Sequence, residues 1–79
     1  MIKIFAEDAD KQTLLDWQET NQASISVDAT NDAAGLNLTT FPCVVEIEGS
    51  TVVKTYAEGM DSILNLTSEV VAEIIAKSN

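Results

Sequence analysis

The stretch CVVEIEGSTVVKTYA, residues 43 to 57, constrains the fold more than any other part of the chain. It contains two runs rich in β-branched residues, 43–48 and 51–57, which the pair Gly49 and Ser50 separates. A glycine-containing pair between two β-rich runs is a compact hairpin signal. The sequence therefore predicts two adjacent antiparallel strands in the second half of the chain.

A different pattern precedes this hairpin. The run IKIFA (2–6) is apolar with little alternation, as in a strand that is buried on both faces. Residues 10–21 carry apolar side chains at helical spacing, SISVDA (24–29) predicts a second strand, and TNDAAGLN (30–37) predicts a short helix. Two strands joined by a helix are most simply parallel, with a right-handed crossover.

The last segment, 60–77, has a broad apolar face at helical spacing, which is typical of a helix laid on a sheet. A break near NLTS (65–68) could divide it, because Thr67 can begin a new helix there. The element order is then βαβαββα. We expect a single α/β domain over residues 1–79, with a central four-stranded mixed sheet and helices on both faces.

Charge limits the classes of partner. The chain has thirteen acidic residues, four lysines and no arginine or histidine, so its formal net charge is −9. This charge repels nucleic acid and anionic membranes, and it favours a basic partner or simple solubility. We expect a protein partner, and neither nucleic-acid nor membrane binding.

The missing residue types exclude several kinds of site. Without histidine there is no Ser-His-Asp triad, no Cys-His pair and no imidazole metal ligand. Without arginine there is no bidentate phosphate clamp. The carboxylates lack the spacing of a calcium loop, so we expect no metal. The N-terminus lacks the layout of a secretory signal and no apolar run has the length of a membrane span, which predicts a cytoplasmic protein.

The order of elements resembles the thioredoxin/glutaredoxin superfamily. VDATNDAAGLNLTTFP (27–42) is similar to that family's path from a strand through a short helix to a cis-proline before a hairpin. TFP (40–42) and EGMDSILNL (58–66) resemble the glutaredoxin stretches T-V-P and G-G-x-D-D-L-x-x-L, with Glu58 in place of the first glycine and Ser62 in place of the second aspartate. The resemblance covers essentially the whole chain, and it implies a thioredoxin-like fold with a cis peptide bond before Pro42.

The chain departs from this family at the redox motif. In IFAEDADK (4–11), Asp8, Ala9 and Asp10 stand where the resemblance would place a CxxC dithiol. Thiol–disulfide exchange needs an attacking thiolate and usually a resolving thiol, and Cys43 is the only cysteine. Asp8 or Asp10 could instead cap the helix that follows and complement its dipole. These residues favour a protein without enzymatic activity, although they leave the question open.

The resemblance also implies where a partner binds. In the family, the residue before the cis-proline offers its backbone to an extended peptide or to glutathione, a form of strand addition, and that role falls here on Phe41. Asp61 and Ser62 stand where glutaredoxins contact glutathione, although helix capping explains them equally well. The candidate binding residues are Thr40, Phe41, Pro42, Glu7, Asp8, Asp10, Asp61 and Ser62. The acidic ones among them could also be an ordinary solvated face.

Three functions remain open from the sequence. The first is a redox-inactive thioredoxin-like binding or adaptor domain that uses the cis-proline cleft and needs no cofactor. The second is a monothiol glutaredoxin-like protein in which Cys43 exchanges with glutathione; against it, a lone cysteine that opens a strand is more simply a buried core residue. The third is an acidic inhibitor that covers a basic partner surface.

Overall fold

The computed structural model describes residues 1–78 as a four-stranded mixed sheet with three α-helices. The elements in chain order are β1 Ile2–Ala6, α1 Asp8–Asn21, β2 Val27–Ala29, a 3-10 turn Thr30–Ala33, β3 Cys43–Glu48, β4 Thr51–Glu58, α2 Met60–Leu64 and α3 Ser68–Ser78. The prediction of an α/β domain around a four-stranded mixed sheet is confirmed.

The sheet has the strand order β2-β1-β3-β4. β1 and β2 are parallel, with Ile4 opposite Val27, because α1 carries the chain back to the starting edge. β3 runs antiparallel to both of its neighbours, and it pairs Phe5 of β1 with Cys43. The sheet therefore combines the predicted parallel pair with the predicted hairpin.

All three α-helices bury their apolar residues against one face of the sheet, which we call the first face. There Ile4 of β1 and Val44 of β3, both without exposed surface, meet Leu14 of α1. Ile63 of α2 and Ile74 of α3 complete the same cluster, and they are also fully buried. Burying a large aliphatic side chain contributes about 1.5–3 kcal/mol, so this layer is a major source of apolar stabilisation in a small domain.

The opposite, second face has a thinner cover. Its cluster is centred on Phe5, Cys43 and Val45, and only the 3-10 turn and the following loop pack on it. The short helix predicted over residues 30–37 is a single 3-10 turn, because Ala34 already leaves the helical path with a ψ of 134° and Gly35 follows with a φ of 86°. The prediction of helices on both faces therefore needs correction: no α-helix in residues 1–78 covers the second face.

The connection between α1 and β2 depends on a buried glutamine. Gln18 is 4% exposed, and its Oε1 accepts a hydrogen bond from the backbone N–H of Ile25. Because this N–H bonds to a side chain, it contributes nothing to a strand ladder. β2 therefore begins at Val27, three residues later than predicted.

The last segment divides where its sequence predicts. α2 ends at Leu64 and α3 begins at Ser68. The backbone N–H of Val70 donates to Thr67 Oγ1 at 3.3 Å, so Thr67 caps the second helix.

Two lysines form ion pairs between α3 and the hairpin. Lys54 Nζ lies 2.9 Å from Glu73 Oε2, and Lys77 Nζ lies 3.2 Å from Glu46 Oε1. The Tyr56 hydroxyl also donates to Glu73, and the hydrogen bond from Lys54 is the main reason that the pKa of Glu73 is lowered. These charges are exposed, so their effect is mainly to orient the helix.

The hairpin ladder between β3 and β4 is irregular. Its register shifts twice, between Val44 and Val45 and again between Glu46 and Ile47. Val53, which is half exposed, lies at the second of these irregularities. β4 is consequently a long edge strand with an interrupted ladder.

Candidate functional site

Pro42 lies at the junction of three elements. β3 begins one residue later at Cys43, and the antiparallel register with β1 brings Pro42 to the level of Ala6, the last residue of that strand. On the other side, the backbone N–H of Gly59 donates to the Pro42 carbonyl at 2.7 Å. The Phe41–Pro42 peptide bond is cis. Pro42 is itself buried and is flanked by the end of β1 and the start of α2.

Glu7, Asp8 and Asp10 lie at the start of α1, close to this junction. The helix begins at Asp8, so the prediction that Asp8 or Asp10 is the N-cap is wrong. Glu7 is in the cap position, and its side chain forms no capping hydrogen bond. Asp8 and Asp10 both lie in the first helical turn, where a carboxylate complements the helix dipole.

Asp61 and Ser62 are exposed in the first turn of α2. Neither is the N-cap, because Gly59 has that position with a φ of 94° and a ψ of 154°. This backbone conformation is essentially restricted to glycine. The hydrogen bond between Gly59 and Pro42 therefore places Asp61 and Ser62 on the side of Pro42 opposite to Glu7.

The segment Leu38–Phe41 has free peptide groups. Within residues 1–78, none of its N–H or C=O groups forms a hydrogen bond of good geometry, although the turn that includes Asn37 reaches the start of the segment. Thr39 and Thr40 are exposed, whereas the side chains of Leu38 and Phe41 are half-buried and pack on the second-face cluster. The side chains anchor the segment and the peptide groups stay available to an added strand.

Cys43 is on the inside of this arrangement. It has no exposed surface, and it belongs to the second-face cluster with Phe5 and Val45. Burial is the main reason that the pKa of its thiol is raised, and the nearby Glu58 carboxylate adds to the shift, while a backbone hydrogen bond with Phe5 opposes it. A buried thiol with a raised pKa is a poor nucleophile.

The raised pKa of Cys43 predicts a loss of stability in alkaline solution. The unfolded chain releases the thiol proton near pH 9 while the folded chain retains it, so the unfolded state binds fewer protons and stability falls with rising pH. The contribution is complete below pH 9 and is lost as the pH rises through the folded pKa. We expect the free energy of unfolding of wild type, measured by urea titration, to fall relative to that of Cys43→Ala above pH 9. Parallel curves for the two proteins up to pH 10.5 would contradict a raised pKa.

The same end of the molecule carries a fifth carboxylate that was not among the candidate binding residues. Glu58 ends β4 opposite Cys43, and the pairing of β3 with β4 is what brings it there. Glu7, Asp8, Asp10, Glu58 and Asp61 form no ion pair in the described chain, and we call these five residues the acidic rim. The hairpin register was the only signal that could have placed Glu58 beside Pro42.

The candidate binding residues, which the sequence grouped in one cis-proline cleft, are divided between two neighbouring surfaces. A depression of about 340 Å³ lies between the ends of β1 and β2, and it is lined by Ala6, Glu7, Asp8, Ala29, Thr30 and Asn31. Thr40, Phe41 and Pro42 are not among its lining residues. The free peptide groups and this depression are therefore separate surfaces.

In the part of the chain that the structure describes, no three potential ligands converge on a point that could hold a metal ion. None of the helices in residues 1–78 combines the length and hydropathy of a bilayer-spanning segment. What the site offers is hydrogen-bonding backbone, exposed carboxylates and a partly buried aromatic ring.

Comparison with known proteins does not assign the chain to a family. No family model matches it, and searches of curated proteins and of solved structures gave no match.

Proposed function

We propose that the chain is a redox-inactive, thioredoxin-like binding domain that holds an extended segment of a partner protein along Leu38–Phe41. The observation that carries the proposal is the run of free peptide groups in this segment, next to the buried Pro42. Strand addition requires such groups, because main-chain hydrogen bonds supply its affinity.

Three further observations support the thioredoxin-like reading. The parallel pair, the antiparallel hairpin and the closing helices occur in the order that the resemblance implies. The start of α1 carries Asp8 and Asp10 where a dithiol would be needed. The site thus has peptide groups that can bind a partner segment, and the start of α1 has no thiol. This combination favours peptide binding over thiol–disulfide exchange.

The monothiol alternative has less support. Glutathione exchange at Cys43 would require an accessible thiolate, and this sulfur is buried with a raised pKa. Asp61 and Ser62 are exposed at the position that the resemblance implies for glutathione contact. Cys43, however, is buried in β3, where it pairs with Glu58 of β4, so a bound glutathione would not reach its sulfur. We therefore propose no cofactor.

The acidic-inhibitor alternative is favoured by the distribution of charge. Lys3, Lys54 and Lys77 all form ion pairs away from Pro42, and Lys11 forms none within residues 1–78. The acidic rim is thus left uncompensated, and it would attract a basic surface at long range. Binding of this kind weakens as salt screens the charges, whereas main-chain hydrogen bonding depends much less on salt.

A substitution that removes one peptide donor tests the proposed function. The affinity of peptides selected from a random display library would be measured for wild type and for Thr40→Pro, which deletes the backbone N–H of the exposed residue Thr40. We expect about tenfold weaker binding, since an unmade hydrogen bond costs about 1–3 kcal/mol and 1.4 kcal/mol is a factor of ten.

Thr40→Ala is the matched control, because it removes the side chain and keeps the N–H; its affinity should equal that of wild type at high and low salt. Equal binding by Thr40→Pro would refute strand addition at this segment. Turnover in an insulin-reduction assay that disappears in Cys43→Ser would refute redox inactivity.

A further inference from the structure

The strand register places a carboxylate on each side of the peptide bond between Phe41 and Pro42. β1 and β3 run antiparallel, and their register brings Glu7, the residue directly after β1, to the level of Phe41. On the other side of β3, Glu58 of β4 is opposite Cys43, the residue that follows Pro42. Neighbouring strands lie about 5 Å apart, so the acidic rim reaches both flanks of the segment that the proposed function uses.

The acidic rim holds negative charge that the described chain does not neutralise. Within residues 1–78, three of the thirteen carboxylates form ion pairs, and five of the other ten belong to the rim. Lys11 is the only lysine next to a rim residue in the sequence, and it forms no ion pair within that range. The start of α1 adds about half a positive charge. Lys11 and this dipole are outnumbered by five carboxylates, so the surface beside Phe41 stays strongly negative.

A partner segment that pairs with Leu38–Phe41 brings its own side chains to this surface. Successive side chains of an added strand point to opposite sides, so every second residue can reach toward the rim. Lysine and arginine can lay their aliphatic stems on the half-buried ring of Phe41 and extend their charged ends to exposed carboxylates. An acidic segment would be repelled, and an uncharged segment would leave the rim without a counterpart.

We infer that the partner segment is basic: its backbone pairs with Leu38–Phe41, and its lysine or arginine side chains pair with the acidic rim. This inference rests on the proposed strand addition and names the chemistry of the strand that is added. Main-chain hydrogen bonds fix the register of the segment, whereas the charges speed its approach and select its composition. In the acidic-inhibitor alternative, by contrast, a folded basic surface would need no free peptide groups.

Selection from a library of short random peptides, displayed at about 50 mM salt, tests the composition directly. Among peptides that bind wild type, we expect lysine and arginine to be about twofold or more enriched over the unselected library, because one exposed ion pair strengthens binding by about 1.4- to 5-fold. Analogues with glutamine in place of each lysine and arginine should bind more weakly at low salt. At about 1 M salt, where the screening length is about 3 Å, each peptide and its analogue should bind alike.

Two double variants that remove the same charge locate the effect. The rim variant, Glu7→Gln with Glu58→Gln, removes one carboxylate from each flank. The control, Glu19→Gln with Glu48→Gln, removes exposed carboxylates near the end of α1 and at the end of β3 that is remote from Pro42. At low salt the rim variant should bind the selected peptides about fivefold more weakly, a typical effect of two exposed ion pairs, and the control should stay within about twofold of wild type. Circular dichroism shows whether each variant is folded.

Selected peptides without an excess of lysine and arginine would overturn the inference. Equal losses in the two double variants would overturn it as well, because they would show attraction to overall charge only. In either case, weaker binding to Thr40→Pro would leave the proposed strand addition standing. Basic peptides that bind Thr40→Pro as tightly as wild type would refute strand addition and the inference together, and they would favour the acidic-inhibitor alternative. A selection that yields no binding peptide would refute both.

Discussion

Leu14→Ala lowers the free energy of unfolding by about 2–5 kcal/mol, whereas the same change at the next residue, Leu15→Ala, changes it by about 0.5 kcal/mol or less. Leu14 has no exposed surface and packs in the first-face cluster, while Leu15 on the same helix is 42% exposed. Truncation at position 14 removes apolar contacts and leaves a buried cavity, whereas truncation at position 15 removes fewer contacts and leaves a space that is open to solvent.

Urea titration followed by circular dichroism measures both values. A chain of 79 residues has an expected stability of about 4–12 kcal/mol, so the Leu14 variant could lose half or more of the total. Equal effects of the two substitutions would contradict the packing of α1 on the first face. The pair shares its helix and its chemistry, which makes burial the only difference of consequence.

Alkylation of Cys43 by iodoacetamide is at least about a thousandfold slower in the folded protein than in the chain unfolded in urea, after correction for the effect of urea on the reagent. The thiol is fully buried, so the reaction requires opening of the second-face cluster. If opening needs about 4 kcal/mol, the lower limit of the stability expected for a chain of this length, then only about one molecule in a thousand is open at any moment. Only the open molecules can react with iodoacetamide.

The two leucine variants link alkylation to stability. If Cys43 reacts only through global unfolding, Leu14→Ala should accelerate alkylation by about 30-fold or more, the factor that corresponds to 2 kcal/mol, and Leu15→Ala should change the rate by no more than about twofold. Fast alkylation of folded wild type would mean that the sulfur is accessible, and it would revive glutathione exchange as a function.

The parts of the fold that were predicted well have strong local signals. The residues of β1 and β3 match the sequence prediction, because apolar runs bounded by polar or turn residues specify buried strands. β4, which is mostly exposed, extends one residue further than predicted. The late start of β2 was not predictable in this way. It follows from the contact between Gln18 and Ile25, which joins residues seven positions apart and leaves no periodic trace.

In the candidate site, too, features with a local sequence signal were predicted and features that depend on distant contacts were not. The sequence placed carboxylates at the start of α1, but it could not assign the cap to Glu7, because Asp8 and Asp10 are stronger capping residues by type. The ion pair between Lys3 of β1 and Asp28 of β2 could not be predicted either, because it joins neighbouring strands 25 positions apart in the sequence.

The two register shifts of the hairpin have a consequence for the behaviour of the protein at high concentration. A long, regular edge strand is a template on which further chains can stack into aggregates. In β4 the ladder is interrupted twice, and Lys54 places a charge in the middle of the strand. A neighbouring chain would have to bury that ammonium group and match a kinked backbone. We therefore expect this edge to resist fibril growth although it carries the half-exposed Val53.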